Sequence, residues 1–292
     1  MKKPADRGNE RLGAHVSTQG GVDTAPGRGT AIGASAIQVF TKTPKQWREP
    51  VMSPETAAAV REALGASGVR AVVSHDSYLI NLASPDPVLK ARSADSFVAE
   101  LVRCEALGIE AVVSHPGNYM DDREAGLHRN AEAIGECLAR VPGRVRVLLE
   151  TTAGTGTALG STVEELARIR ELVPAPYRVR VGFCADTCHM FAAGYDLAGD
   201  FDGVWARWDD VAGLEHLGCL HLNDSKTPFG SRRDRHELIG EGSLGPEPFR
   251  RIMTDPRFAR IVKVIETPKG DEPATQDRRM LTRLRRYARA AR

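Results

Sequence analysis

The chain has 292 residues, with 40 Lys and Arg against 38 Asp and Glu. The formal net charge of +2 gives no whole-molecule attraction for nucleic acid, so any polyanion site must be a local patch. The length suits a single large α/β barrel of about 250 residues, and no run approaches the ~20 apolar residues of a membrane span.

Residues 1–10 are polar and lack the apolar core of a signal peptide, so they read as a frayed tail ahead of one domain, 11–292. Five cysteines, an odd number without paired spacing, point to reduced thiols and a cytoplasmic protein. Arg11 to Val16 reads as a first strand carrying His15, and Gly20 to Gly33 as a helix. Ala34 to Phe40 is a second strand, followed by Thr41-Lys-Thr-Pro-Lys-Gln-Trp47. Ser53 at an N-cap with Pro54 behind it opens a helix to Leu64. The third strand starts at Val69 and ends on His75, and a helix runs from about Asp86 to Leu107, stopping at Gly108. The fourth strand ends at His115-Pro-Gly, before a helix over about 122–140. The fifth ends on Glu150, with a helix starting at Ser161. The sixth, Val179 to Ala185, ends on Asp186, and a long helical segment with Trp205 and Trp208 follows. The seventh ends on His221, before a loop from Asn223 to about Gly245. The eighth ends on Glu266, and an arginine-rich helix from about Thr275 closes the chain. Eight alternating β/α units predict a single-domain (β/α)8 TIM barrel.

Six of these strands finish on a metal-capable side chain: His75, His115, Glu150, Asp186, His221 and Glu266. They follow one another in steps of 40, 35, 36, 35 and 45 residues, each long enough for one βα unit of about 30. Parallel strands deliver their C-terminal ends to one face, so the six converge. An Asp after a strand is more often a helix cap, which is the plainer reading of Asp186 taken alone. Three further residues complete the set. His189 lies one turn beyond Asp186, and Asp234-x-His236 can present two ligands if the loop is extended at its middle residue. His189, Asp234 and His236 together give two imidazoles and one carboxylate, leaving an open position as catalytic zinc requires.

Nine ligands exceed the needs of one ion, so two or three are expected, with at least one bridging carboxylate. Five histidines among them favour zinc or a similar borderline ion over magnesium. Cys184 and Cys188 flank the motif and are read as packing. His128 and His216, on predicted helices, stand outside the set, and His15 is left open between buttressing a ligand and an ordinary strand position. Clustered ions at a barrel mouth suit a phosphodiester, whose attacking and leaving oxygens both need stabilising. Thr152-Ala-Gly-Thr-Gly lacks the lysine of a P-loop and the Rossmann spacing, so no nucleotide cofactor is expected. Lys42, Lys45, Gln46, Trp47, Tyr78, Lys226 and Arg235 fall on loops of the metal face, where cations contact phosphates and aromatic or amide side chains wedge into a base stack. Trp47 reads as a core anchor.

Asp186-Thr-Cys-His-Met-Phe-Ala-Ala-Gly-Tyr-Asp196, His221-Leu-Asn-Asp-Ser-Lys226 and Asp234-Arg-His-Glu-Leu-Ile-Gly-Glu-Gly242 together resemble the endonuclease IV family of apurinic/apyrimidinic endonucleases (AP endonuclease family 2). Gly13-Ala-His-Val-Ser17, His75-Asp-Ser-Tyr-Leu-Ile-Asn-Leu82 and Glu266-Thr-Pro268 support the resemblance. It implies a TIM barrel with three zinc ions, manganese able to substitute, that cleaves duplex DNA 5′ to an abasic site, leaves a 3′-hydroxyl and trims blocked 3′ ends. Position by position, it implies His75, His115 and Glu150 at the first ion, Glu150, Asp186, His221 and Glu266 at the second, and His189, Asp234 and His236 at the third. Glu150 would bridge and act in catalysis. Lys45, Gln46 and Tyr78 would enter the abasic gap or the minor groove, with Lys226 and Arg235 on the same face. The chain departs from common family patterns at Thr43-Pro44, Asn118-Tyr119 and Thr155. A monomer without membrane attachment is expected. A single-metal sugar isomerase or epimerase on a related barrel is the alternative, since Glu150, Asp186, His221 and Glu266 would suffice for one ion.

Overall fold

The structure, a computed structural model, describes residues 10–290. Residues 1–9, most of the expected tail, lie outside the described residues. The strands are β1 Leu12–His15, β2 Ala36–Val39, β3 Ala71–His75, β4 Ala111–Ser114, β5 Arg146–Glu150, β6 Val181–Asp186, β7 Leu217–His221, β8 Asp224–Ser225, β9 His236–Glu237 and β10 Val262–Ile265. All but β8 and β9 form one closed parallel barrel in the order β1-β10-β7-β6-β5-β4-β3-β2, a (β/α)8 TIM barrel. β8 and β9 pair antiparallel as a separate ribbon on the loop after β7.

The helices are α1 Ala25–Ala31, α2 Pro54–Ala66, α3 Pro87–Leu107, α4 Arg123–Arg140, α5 Val163–Leu172, α6 Ala175–Arg178, α7 Thr187–Ala193, α8 Phe201–Ala212, α9 Glu247–Thr254 and α10 Pro273–Ala290. Their starts follow capping chemistry: Ser53, Asp86, Asp122, Thr162, Asp186 and Asp200 each accept a backbone N–H of the first turn. Gly108 ends α3 at φ 71°, a left-handed conformation that an L side chain resists.

Several boundaries differ from the sequence reading. The segment with Trp205 and Trp208 is two helices, because Gly194 adopts φ 107° and ends α7 before Asp200 caps α8. Gly20 to Gly33 holds only a 3-10 turn and the short α1, since Gly20 and Gly21 both take positive φ. The loop after His221 contains the β8–β9 ribbon, α6 and α9 were not foreseen, and His216 sits in a 3-10 turn, not a helix.

Two apolar layers hold the fold. One lies between barrel and helices, where Phe97, Phe183, Trp205, Trp208 and Phe258 are fully buried. The other fills the barrel with Ala36, Ala71, Val73, Ala111, Val113, Leu148, Cys184, Cys219, Val262 and Val264. β1 has room only for glycine at Gly13, where a Cβ would sit 1.5 Å from the Ala36 carbonyl oxygen. Among the described residues no helix is long and apolar enough to cross a membrane.

Candidate metal centre

Side chains along a strand alternate faces, so the residue two beyond an inward one also points inward. The barrel filling includes Val73, Val113, Leu148, Cys184, Cys219 and Val264. Two positions on stand His75, His115, Glu150, Asp186, His221 and Glu266. The apolar filling therefore gives way, at the C-terminal mouth, to a layer of imidazoles and carboxylates. The structure brings all nine sequence-predicted ligands together there. His75, His115 and Glu150 form one group, Glu150, Asp186, His221 and Glu266 a second, and His189, Asp234 and His236 a third, each with donor atoms within 4.8 Å of one another. Glu150 belongs to two of them. The third depends on β9, whose extended backbone presents His236 beside Asp234.

Hydrogen bonds fix how the imidazoles face. Nδ1 of His75 lies 2.9 Å from the Asp76 carbonyl, Nδ1 of His189 2.8 Å from that of Thr151, and Nδ1 of His236 3.2 Å from that of Glu266. A carbonyl only accepts, so each Nδ1 carries the proton. Gln38 donates its amide to Glu266 at 2.6 Å, which turns its oxygen to His221 Nε2 at 2.7 Å. The inner nitrogens then face carboxylates. His75 Nε2 is 3.1 Å and His115 Nε2 3.3 Å from Glu150, and His221 Nδ1 is 2.8 Å from Glu150 and 3.3 Å from Glu266. His189 and His236 Nε2 lie 3.3 and 3.1 Å from Asp234. A bare nitrogen lone pair repels a carboxylate oxygen unless a cation stands between them. The outer nitrogen tied to a neutral acceptor and the inner one bare is how metal-binding histidines are oriented. The donor set therefore fits divalent ions of the zinc type.

Protons fill the same role where no ion is bound. Burial disfavours a charged His75, but its hydrogen bond to Glu150 and the charges of Glu150 and Asp76 outweigh that and raise its pKa to about 9. His236 is likewise raised to about 9, with Asp186 and Asp234 offsetting its burial. His189 and His221 move up for the same reason. For His115 burial wins, and it falls to about 4. Burial would raise Glu150, yet His221 and His115 hold it well below the usual carboxylate range.

Several polar partners escaped the sequence reading. Gln38 is fully buried and joins His15, His221 and Glu266. Asn223 donates to Asp186 at 2.7 Å and accepts from the Glu266 backbone at 2.8 Å. Thr151 accepts from the Asp186 N–H and lends its carbonyl to His189. Gln38 carried a signal: it is two residues past the inward Ala36, a polar side chain in an apolar strand. His15 touches Glu266 at 3.3 Å and Gln38 at 3.0 Å, which makes it a buttress. His128 pairs with Glu124, one turn away on α4, and belongs to none of the donor groups. Cys184 and Cys219 are buried next to His221, and Cys188 is buried near Asp186 and His236. Burial pushes the Cys184 and Cys188 thiols up, so at neutral pH they remain protonated packing groups.

Around the mouth, Lys45, Gln46, Lys226 and Arg235 are exposed, and Tyr78 is 59% exposed with its ring 5.4 Å from Phe40. Lys42 is a correction. It is buried and paired with Glu49 at 2.5 Å, so it is not a free cation on the metal face. A cavity of about 240 Å³ opens beside the donors, walled by Tyr78, His115, Asn118, Thr155, His189 and Asp234. Trp47 is half-buried, with the Arg92 guanidinium 4.5 Å from its ring centre.

The family described as xylose isomerase-like TIM barrel matches residues 29–286. A protein named "probable endonuclease 4" from Chloroflexus aggregans is 47% identical over 283 residues, covering 96% of this chain and 98% of that one.

The chain belongs to the endonuclease IV family.

A second family member, from Geobacter sulfurreducens and of the same name, is 47% identical over 268 residues, 90% of each chain. Endonuclease IV from Thermus thermophilus, a crystal structure, superposes with a TM-score of 0.83 at 37% identity, covering 95% of this chain and 99% of that one. Membership thus spans the barrel and every strand that carries a donor of the metal centre.

Proposed function

We propose that the protein is a DNA-repair endonuclease that hydrolyses the phosphodiester 5′ to an abasic site in duplex DNA, leaving a 3′-hydroxyl, and that also trims blocked 3′ ends. It acts as a cytoplasmic monomer and holds three zinc ions, with manganese able to substitute. The observation that carries this reading is the convergence of nine donors at the mouth, with the outer nitrogens of His75, His189 and His236 tied to carbonyls and their inner ones turned toward carboxylates. Bound there, divalent ions would lower the pKa of water and neutralise the non-bridging oxygens of a phosphodiester.

The chain's own residues do the rest. Glu150 belongs to both of the first two donor groups, so its carboxylate would serve ions held by either. Gln38, Asn223 and Thr151 lock the ligands before substrate arrives, which lowers the cost of ordering the site. Lys226 and Arg235, exposed on the loop after β7, supply cations for backbone phosphates, and Lys45 and Gln46, exposed on the loop after β2, reach the duplex. Tyr78, largely exposed with its ring 6.0 Å from that of His75, would stack in the gap left by a missing base. A sugar isomerase with one ion would use only Glu150, Asp186, His221 and Glu266, and would leave the other five donors without purpose.

The test is incision of a duplex holding one tetrahydrofuran abasic analogue by purified full-length protein, loaded with zinc and then stripped with chelator. Incision with zinc, a 3′-hydroxyl product end by mass spectrometry and loss of both in chelator are expected. Cleavage that persists without metal, or none with zinc or manganese, would overturn the proposal.

A further inference from the structure

Beneath the loop after β2 lies a network of charges that the chemistry at the metal centre does not use. Glu49 receives Lys42 Nζ at 2.5 Å on one oxygen and Arg103 Nη1 at 2.7 Å on the other. Arg103 also reaches Glu100 at 2.6 Å and Thr41 at 2.7 Å, and Ser96 donates to Glu49 at 2.6 Å. Lys42, Glu100 and Arg103 are buried, and only Glu49 is partly exposed. Two cations and two carboxylates balance. Such networks add little net stability over apolar packing of the same volume, and their best-attested use is to fix one conformation.

The topology shows which conformation. Lys42 and Glu49 stand at the two ends of residues 43–48, the segment that carries Lys45 and Gln46. Their ion pair closes that segment like a clasp. Ser77, next to Tyr78, pins it further by donating to the Pro44 carbonyl at 2.7 Å, and Arg92 lies over Trp47. On its inner side, the network reaches Ser74, which donates to Glu100 and directly precedes His75.

We propose that Glu49 is a positioning residue: through Lys42 and Arg103 it clasps the base of loop 43–48, so that Lys45 and Gln46 stand pre-ordered for the duplex beside an abasic site. This inference rests on the DNA-directed reading above. Glu49 touches no substrate. It removes the ordering that the loop would otherwise undergo on binding, so its loss falls on KM.

The experiment uses full-length, zinc-loaded protein carrying Glu49→Gln, with Lys42→Met/Glu49→Gln as a second variant that leaves no unpaired lysine if the first folds poorly. KM for the abasic duplex should rise at least tenfold with kcat changed less than threefold. In a Lys45→Ala/Gln46→Ala background, Glu49→Gln should change KM less than twofold, because the groups it positions are gone. Acrylamide quenching supplies a readout independent of activity. Of the three tryptophans, Trp205 and Trp208 are buried, so quenching reports Trp47 and should at least double. KM within twofold of wild type, an additive effect in the double-alanine background, or quenching that rises without any change in KM would overturn the inference. If the wild-type protein incises no abasic duplex, the functional reading fails on its own, and unchanged Trp47 quenching would then sink the clasp as well.

Discussion

Glu150→Gln is the most informative single change, because it keeps shape and volume while removing one charge from the middle of the cluster. Glu150 Oε1 lies 2.8 Å from His221 Nδ1, and Oε2 lies 3.1 and 3.3 Å from His75 and His115. It belongs to two of the three donor groups and is absent from the third. An amide is a poor ligand for zinc, so if the parent binds the proposed three ions the variant should bind one per chain, at His189, Asp234 and His236. Metal-free, the variant leaves the His75 and His221 imidazoliums buried without the Glu150 counter-charge. Breaking a buried ion pair in this way costs about 3–5 kcal/mol. At about 2 °C per kcal/mol for a chain of this size, the melting point in chelator should fall by roughly 6–10 °C. Incision should drop by at least about a hundredfold, since changes merely around a metal site cost up to that. Elemental mass spectrometry on dialysed protein, calorimetry in chelator and the abasic-duplex assay measure the three. Three ions retained, or none, would refute the assignment of Glu150 as the shared ligand.

The other expectations concern the remaining ligands and their supports. His236→Ala should lower the metal count from three to two and abolish incision, read by the same elemental analysis and assay; a count of one would mean that the groups are not separable. Gln38→Leu strips the acceptor from His221 Nε2 and a donor from Glu266. It should weaken zinc binding about 10–100-fold in a competing-chelator titration, with the barrel's circular dichroism unchanged. In chelator, stability should depend on pH with a definite sign. His75 and His236 are raised to about 9, above the unfolded value near 6.5, so their contribution is complete below about pH 6.5 and lost as pH climbs through 9. Glu150 is depressed, so its contribution is present above the unfolded carboxylate pKa of about 4.3 and lost on acidification. Melting curves should therefore decline from pH 6.5 toward pH 9, and zinc should remove the decline by replacing the protons. A flat metal-free profile from pH 6.5 to 9 would contradict it.

What the sequence made legible was governed by period and position. Six ligands could be found because each strand is an apolar run whose last inward residue changes type, and parallel strands leave no other place for those residues to meet. The same rule reaches Gln38, two positions past Ala36, but an amide inside an apolar run reads as an imperfection until Glu266 and His221 are seen on either side of it. Lys42 was misplaced for the opposite reason. A lysine after a strand reads as exposed, and its burial depends on Glu49 and on Arg103, 61 residues farther along the chain. Pairings of that kind are set by which helix lies over which loop, and a single sequence does not state it. The break between α7 and α8 was missed because Gly194 marks a helix end only once its backbone turns left-handed, whereas Gly108 sat visibly at the end of a long periodic run.

Asp186 shows that the plain and the functional readings of a residue need not compete. Its Oδ1 accepts the backbone N–H of His189 at 2.9 Å, an N-cap on α7. Its Oδ2 remains for Asn223 at 2.7 Å and faces His236 Nε2 at 3.6 Å. One oxygen starts the helix and the other joins the donor group. The cap also accounts for the spacing. An N-cap carboxylate bonds the N–H three residues on, so a histidine at that position is held against the ligand cluster by the same contact that begins the helix. His189 then needs only the Thr151 carbonyl to fix its ring. Helix initiation at a strand end thus fixes where residue 189 stands, and its imidazole completes the third donor group once the loop carrying the β8–β9 ribbon brings Asp234 and His236 to it.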